Sequence, residues 1–365
     1  MKLIAPDYYP EFRCIADKCR HSCCIGWEID IDPDTREQYR RVPGAFGERL
    51  NAAIDDSGEY PVFRLCADGR CAMLNPSGLC DLITQLGESA LCQICADHPR
   101  FRNFWGQSKV GHSPTSDSDC LQSPSVASTR PCAEGWPRTK VGQSPTSDSD
   151  CLQSPSVAST RPCAEGWPRT EGGLGLCCEE AARLILTRET PMELLTLEDD
   201  GADDALDEED EALLAIRDTL ITLMQEHDTP LQERLDEVLM LGGLPIPEMN
   251  WPQIYRELER LDPAWDAALD SLAGAQHALS PALDVPLANF CAYLLYRHLP
   301  GAMEDEDVPG RVAFCVLSTR MLMALCAAKP GCTPEDCIDL ARMYSAEIEY
   351  SEENIAALLD TLWEE

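Results

Sequence analysis

The chain has 365 residues, room for two or three domains at roughly 100–200 residues each. Apolar residues make up 44%, which excludes wholesale disorder because a real core can form. Lys plus Arg number 29 against 64 Asp plus Glu, a net charge of −35. So acidic a chain lacks the cations that displace counterions from nucleic-acid phosphates, and anionic membrane surfaces repel it. A basic protein partner or a basic substrate segment is compatible with that charge. No run of about 18 apolar residues predicts a membrane span, and the opening MKLIAPDYYP has no apolar signal core. The expectation is a cytoplasmic chain.

The cysteines stand out next. There are 20, and cytoplasmic thiols are kept reduced, so a disulfide scaffold is not expected. The densest group reads Cys14-x4-Cys19-x3-Cys23-Cys24. Short spacings let one loop aim several thiolates at one centre, and a bound cation holds them deprotonated. All-sulfur ligation suits zinc or an iron–sulfur cluster. Cys291, Cys315 and Cys326 lie instead among Leu, Met, Ala and Phe at helical spacing, and there they read as core packing.

In chain order, Trp27 to Asp32 alternates apolar and acidic residues, a short strand or extended loop. Asp34 to Tyr39 has acids at a helix start. Segments 63–65 and 71–74 flank Asp68-Gly69, a hairpin turn. Asn75 to Gly78 is a second turn. Cys80 to Cys92 predicts a helix. Residues 109–139 and 140–170 repeat a 31-residue unit with one change, His112 to Gln143. Two units rich in Ser, Thr, Pro and Asp bury little, so 107–170 reads as an inserted, mostly disordered surface loop. Cys178 to Leu186 predicts a strong helix. From Glu198 to Glu211, ten of fourteen residues are acidic, which reads as a solvated linker over 191–210. Amphipathic helices are predicted at 209–226, 230–241, 251–260, 263–277, 284–298, 309–328, 333–348 and 352–364, an all-α bundle. The fold expected is mainly α. A small cysteine-rich metal- or cluster-binding domain with short strands (1–106 plus 171–190) precedes a helical domain (211–365).

Several segments resemble one family. Cys14-x4-Cys19-Arg-His-Ser-Cys23-Cys24-Ile-Gly-Trp27-Glu-Ile-Asp30-Ile-Asp32 is similar to the signature of the flagellin lysine-N-methylase family. So are Gly69-Arg-Cys71-Ala-Met-Leu74, Leu79-Cys80, Cys95-x2-His98-Pro99-Arg100 and Cys178-Glu-Glu-Ala-Ala-Arg183. The likeness covers 1–106 and 171–190; the helical remainder matches in length and character only. It implies an enzyme, an S-adenosylmethionine-dependent protein-lysine N-methyltransferase. The substrate it implies is flagellin or another lysine-bearing protein, not nucleic acid or a membrane. It also implies a [4Fe–4S] cluster, zinc being the alternative. Carried over by position, the ligand set is Cys14, Cys19, Cys23, Cys24, Cys71, Cys80, Cys95 and Cys178. Four thiolates suffice for one such cluster, so eight leave some for a second metal or for structure.

Other roles stay open on the residues themselves. Arg100 pairs either with the cofactor's carboxylate or with a nearby acid such as Asp97. Trp27 either stacks on the cofactor or anchors a core. Glu28, Asp30 and Asp32 either attract the substrate cation or serve as caps. No Gly-x-Gly-x-x-Gly follows a predicted strand. Position 26 is Gly where a Cys-x3-Cys-x2-Cys radical triad needs its third thiol. A non-catalytic metal-binding module and an iron–sulfur redox carrier are the competing classes.

Overall fold

The computed structural model describes residues 2–26, 29–58, 60–105, 169–201 and 206–364. Trp27, Glu28 and almost all of the tandem insert therefore lie outside the described residues. The chain is mainly α with a few short strands, and its contacts divide it into two units.

The larger unit comprises described residues of 2–12, 100–105 and 169–364. Its centre is the helix Asp284–His298, buried from Pro286 to His298 on every side. A helix apolar on most of its circumference belongs in a core, and the helices Glu179–Leu186, Glu208–Met224 and Val308–Ala328 pack on it. Helix starts follow side-chain chemistry. Asp207 Oδ1 accepts from Asp210 N at 2.9 Å, and Glu208, Glu209, Asp210 and Glu211 fill the first turn, where the helix dipole favours anions. Thr333 and Asp336 form a reciprocal capping box before Pro334–Tyr344. That helix runs on into a π-helical turn, Ser345–Glu349.

The helices predicted from the sequence occur as Glu208–Met224, Leu231–Gly242, Trp251–Glu257, Pro263–Ser271, Asp284–His298, Val308–Ala328, Pro334–Tyr344 and Glu352–Leu362, the one expected over 263–277 ending early at Ser271. One of them, Val308–Ala328, is long and apolar enough by composition to cross a membrane, with mean hydropathy 1.6, yet 67% of that window is buried inside the protein.

The sheet was not foreseen. Four strands lie in the order Arg100–Trp105, Arg169–Leu174, Lys2–Pro6, Leu194–Asp199. The two inner strands are parallel, with Leu3 opposite Thr170, and both outer pairs are antiparallel. Two boundaries are thereby corrected. Residues 171–190 belong with the helical unit, because Leu174, Leu176, Ala181, Ala182, Ile185 and Leu186 enter its core. The expected linker 191–210 contains the edge strand Leu194–Asp199, whose Leu194 and Leu197 pack on the core while Glu198 and Asp199 face out.

Tyr296 donates to Gly172 O at 2.7 Å and docks the sheet on the central helix. Gly173 has no Cβ because the Phe101 ring fills that place; an added Cβ would lie 2.2 Å from it. Inside the same face, Glu171 is ion-paired with Arg217, both side chains 0% exposed, and Arg169 reaches Glu171 at 3.1 Å. Arg217 also lies over the Tyr296 ring, 5.1 Å from its centroid.

The insert's ends can be located. Trp105 stands opposite Arg169 in the antiparallel ladder, so residues 106–168 are the connection of a hairpin. Doubling a loop's length costs only about 0.6 kcal/mol in closure entropy.

The described residues of the smaller unit lie within 13–99. Asp32 caps the helix Pro33–Arg40, its Oδ1 accepting from Thr35 N at 2.9 Å. The stretch expected as strand or extended loop is extended: Phe63 N donates to Ile29 O at 3.0 Å and Ile31 N to Pro61 O at 2.8 Å. The helix expected over Cys80 to Cys92 is broken. It ends at Leu86 because Gly87 turns into the left-handed region, φ +88°. A 3-10 turn, Glu88–Ala90, and a new helix, Gln93–Asp97, follow.

Two outcomes are expected. Arg217→Ala leaves the buried Glu171 carboxylate with Arg169 as its ion-pair partner and lowers urea-unfolding free energy by about 3 kcal/mol, whereas Glu171→Gln with Arg217→Met recovers most of that loss. Replacing 106–168 by Asn-Gly leaves the circular dichroism spectrum's helical bands unchanged and raises stability by up to about 3 kcal/mol.

Candidate functional site

The candidate site lies in the cysteine-rich unit. Its core is small: Ile29, Ile31, Tyr39, Leu50, Ala53, Ile54, Phe63, Met73 and Leu82 with Cys71 and Cys92, and Cys24, Cys80 and Cys95 among the partly buried residues packed against them.

Local chemistry brings those sulfurs in from four segments. The Asp68-Gly69 turn forms as predicted: Gly69 N donates to Cys66 O at 2.9 Å and Cys66 N to Arg70 O at 2.7 Å, with Gly69 at φ +78°. That turn is zipped to the first cysteine segment. Gly26 N donates to Gly69 O at 2.9 Å and Cys71 N to Cys24 O at 2.8 Å, which places Cys24 beside Cys71. The Asn75–Gly78 turn also forms, the Asn75 side chain accepting from Ser77 N and Leu79 N, each at 3.0 Å. It returns the chain so that Leu74 bridges Cys80. Asp32 supplies the last tie. Its second oxygen accepts from Gln93 N at 2.9 Å, fixing the start of the helix that carries Cys95. Tyr39 donates to Ala90 O at 2.7 Å just before it.

The thiols feel one another. Cys95 is held protonated well above the ordinary range, first by a hydrogen bond with Cys92, then by burial and by Cys24 and Cys80. Burial pushes Cys71 up to about 12, helped by Cys24, Cys80 and Cys92. Burial likewise pushes Cys80 up to about 11. The Tyr39 phenol is raised by burial and then by Cys92, Cys95 and Cys80. Cys24 alone goes down, chiefly through a hydrogen bond from Cys23, with Ser22 and the Arg70 charge adding to it. Cys24, Cys71, Cys80, Cys92 and Cys95 are thiols, not disulfides. Among the described residues, no group of three or more His, Cys, Asp or Glu side chains is drawn together as ligands of one metal ion.

Of the eight cysteines carried over from the resemblance, Cys24, Cys71, Cys80 and Cys95 gather, and Cys23 reaches them through Cys24. Cys14 and Cys19 flank the short 3-10 turn Ala16–Lys18, with Cys14 exposed. Cys178 stands in the other unit, at the N-cap of Glu179–Leu186, packed on that unit's core. Cys92 was missed. Its signal was present as Cys92-x2-Cys95, a spacing that spans one helical turn.

Arg100 opens a strand of the larger unit, over the rings of Tyr9 (5.5 Å) and Phe12 (5.1 Å). Trp27, the other residue assigned to the cofactor, lies outside the described residues, as does Glu28. Asp32 spends both oxygens on helix starts and is a cap. Comparisons with family models, curated proteins and solved structures return no match.

Burial lowers His98 from 6.5 to about 4. Between those values the folded unit keeps the ring neutral while the unfolded chain takes up a proton. Stability is therefore complete above pH 6.5 and falls as the pH drops towards 4, by up to about 3 kcal/mol. In chemical denaturation at pH 7 and pH 4.5, His98→Gln should lose less stability on acidification than the parent. An identical acid loss in both would remove His98 from the account.

Proposed function

We propose that the chain is an S-adenosylmethionine-dependent protein-lysine N-methyltransferase of the flagellin-methylase type, and that its cysteine-rich unit holds a [4Fe–4S] cluster. The methylase half rests on the motif resemblance. The cluster half rests on one observation: five thiols from four segments meet within reach of one another's charge.

The donor set fits such a group. Soft thiolates suit iron–sulfur clusters, and four are enough. Zinc, which four thiolates also hold at about 2.3 Å, is the alternative. Buried thiols with raised pKa values ionise only against a cation, which the cluster's iron supplies. When bound, the cluster also provides a one-electron centre.

The chain's own residues set the frame. Cys24, Cys71, Cys80 and either Cys92 or Cys95 are the proposed ligands. Asp32 and Tyr39 are positioning residues that hold the Cys92–Cys95 segment. Methyl transfer to an amine requires the lysine to arrive neutral, so its pocket must desolvate it or accept its proton. A net charge of −35 draws a lysine-rich substrate by long-range attraction, an effect that salt weakens.

Anaerobically purified protein is expected to be brown, with absorbance near about 400 nm and about four iron and four sulfide per chain. Cys71→Ser and Cys80→Ser should lose the colour, and Cys66→Ser, on the exposed turn, should keep it. Labelled S-adenosylmethionine should mark lysines of flagellin. Colourless, iron-free protein overturns the cluster. Iron-loaded protein that transfers no label to any lysine substrate overturns the methylase and leaves a redox carrier.

A further inference from the structure

A second feature lies wholly in the larger unit. Where the turn after strand Lys2–Pro6 meets the central helix there is a cavity of about 10 Å³, lined by Tyr8, Arg188, Gln225, Asn289 and Tyr293 among apolar neighbours. Tyr8 is 2% exposed, and burial with the Asp7 charge beside it keeps its phenol protonated.

Most of the lining is already bonded. Gln225 accepts from Met192 N and donates to Asn289 Oδ1, both at 3.1 Å. Asn289 donates to Arg188 O at 2.7 Å. The Tyr293 oxygen accepts from Arg297 at 2.6 Å and from Leu176 N at 3.4 Å, and keeps its own proton to give. Tyr8 Oη and Arg188 Nε, both buried, have no protein partner. Such groups destabilise the fold if left unsatisfied.

The lining selects its guest by chemistry and by size. Donors prevail, so the guest must accept hydrogen bonds, and a cation is refused. An anion is refused as well, because Asp7 is ion-paired with Arg188 and Glu11 stands 4.0 Å from the same guanidinium. A volume of about 10–15 Å³ on this measure holds one water molecule. We propose that the cavity is a binding site for a single internal water, accepting from Tyr8 Oη and Arg188 Nε. It ties the Asp7–Tyr8 turn to the segment that follows the helix Glu179–Leu186, beside the direct bond from Asp7 N to Glu193 O at 2.8 Å.

The test is a crystal structure of the full chain at about 1.5 Å or better, with Tyr8→Phe beside it. The parent should show one density peak within about 2.6–3.2 Å of both atoms. The variant should lose or displace that peak and melt about 2–4 °C lower. A parent cavity without density overturns the proposal, as does a Tyr8 hydroxyl bonded to a protein acceptor. Should the variant fail to fold, a long-lived water cross-peak to the Tyr8 ring in the parent's nuclear Overhauser spectrum decides: present supports, absent overturns.

Discussion

The cysteine-rich unit must build an interior from very little hydrocarbon, and sulfur fills the shortfall. Its buried apolar side chains are Tyr39, Phe63, Met73, six aliphatic residues and the thiols Cys71 and Cys92, with Cys24, Cys80 and Cys95 packed against them. Units this small gain stability from staples when their core is thin. A neutral thiol serves as a small hydrophobe, and burial keeps Cys71 and Cys80 neutral. The same burial makes ionisation expensive unless a cation accompanies it. Protonated packing and metal ligation are thus alternative ways to satisfy one arrangement. Because the sulfurs come from segments far apart in sequence, a centre that joined them would contribute its binding free energy to folding.

The helical unit carries thiols under different conditions. Cys291 and Cys315 are pushed up chiefly by burial, within helices that fill the core, as expected of packing residues. Cys326 was read the same way, but it also meets Cys337 and Cys332 through side-chain hydrogen bonds, because the tight turn after Ala328 folds the next helix back on it. Helical spacing registers the face a residue occupies and not what the following turn delivers to that face. The buried charges of this unit have equally local causes. Arg297 is held between the rings of Phe101 and Tyr350, at 4.8 and 4.7 Å. Glu349, on the π-helical turn, accepts from His298 at 2.9 Å.

Legibility in the sequence followed the range of the signal. The helices of the larger unit were readable because caps and 3.6-residue periodicity act within a few residues, as at Thr333 and Asp336. The hairpin turn at Asp68-Gly69 was readable for the same reason. The four-stranded sheet was not, since its members come from residues 2–6, 100–105, 169–174 and 194–199 and their pairing is entirely long-range. Leu194 to Asp199 also lacks the strict apolar–polar alternation that announces a strand; pairing with Lys2–Pro6 makes it one. In the candidate site, the early cysteine group drew attention by density. Cys92 did not, because its place depends on Asp32 reaching across to Gln93.

The position of the tandem repeat follows from the sheet. A strand alternates its faces residue by residue, so inserting 31 residues, an odd number, within one would turn every later side chain to the wrong side. Within a helix it would rotate the buried stripe away from the core. Between Trp105 and Arg169 neither penalty applies. The two residues already face each other across an antiparallel pair, so the added chain leaves and returns at nearly the same point and the register on both sides is untouched. The closure entropy of a longer connection grows only logarithmically. Lengthening the connection there leaves the ladder register unchanged. The described residues at both ends of the connection, Trp105 and Arg169, belong to the larger unit.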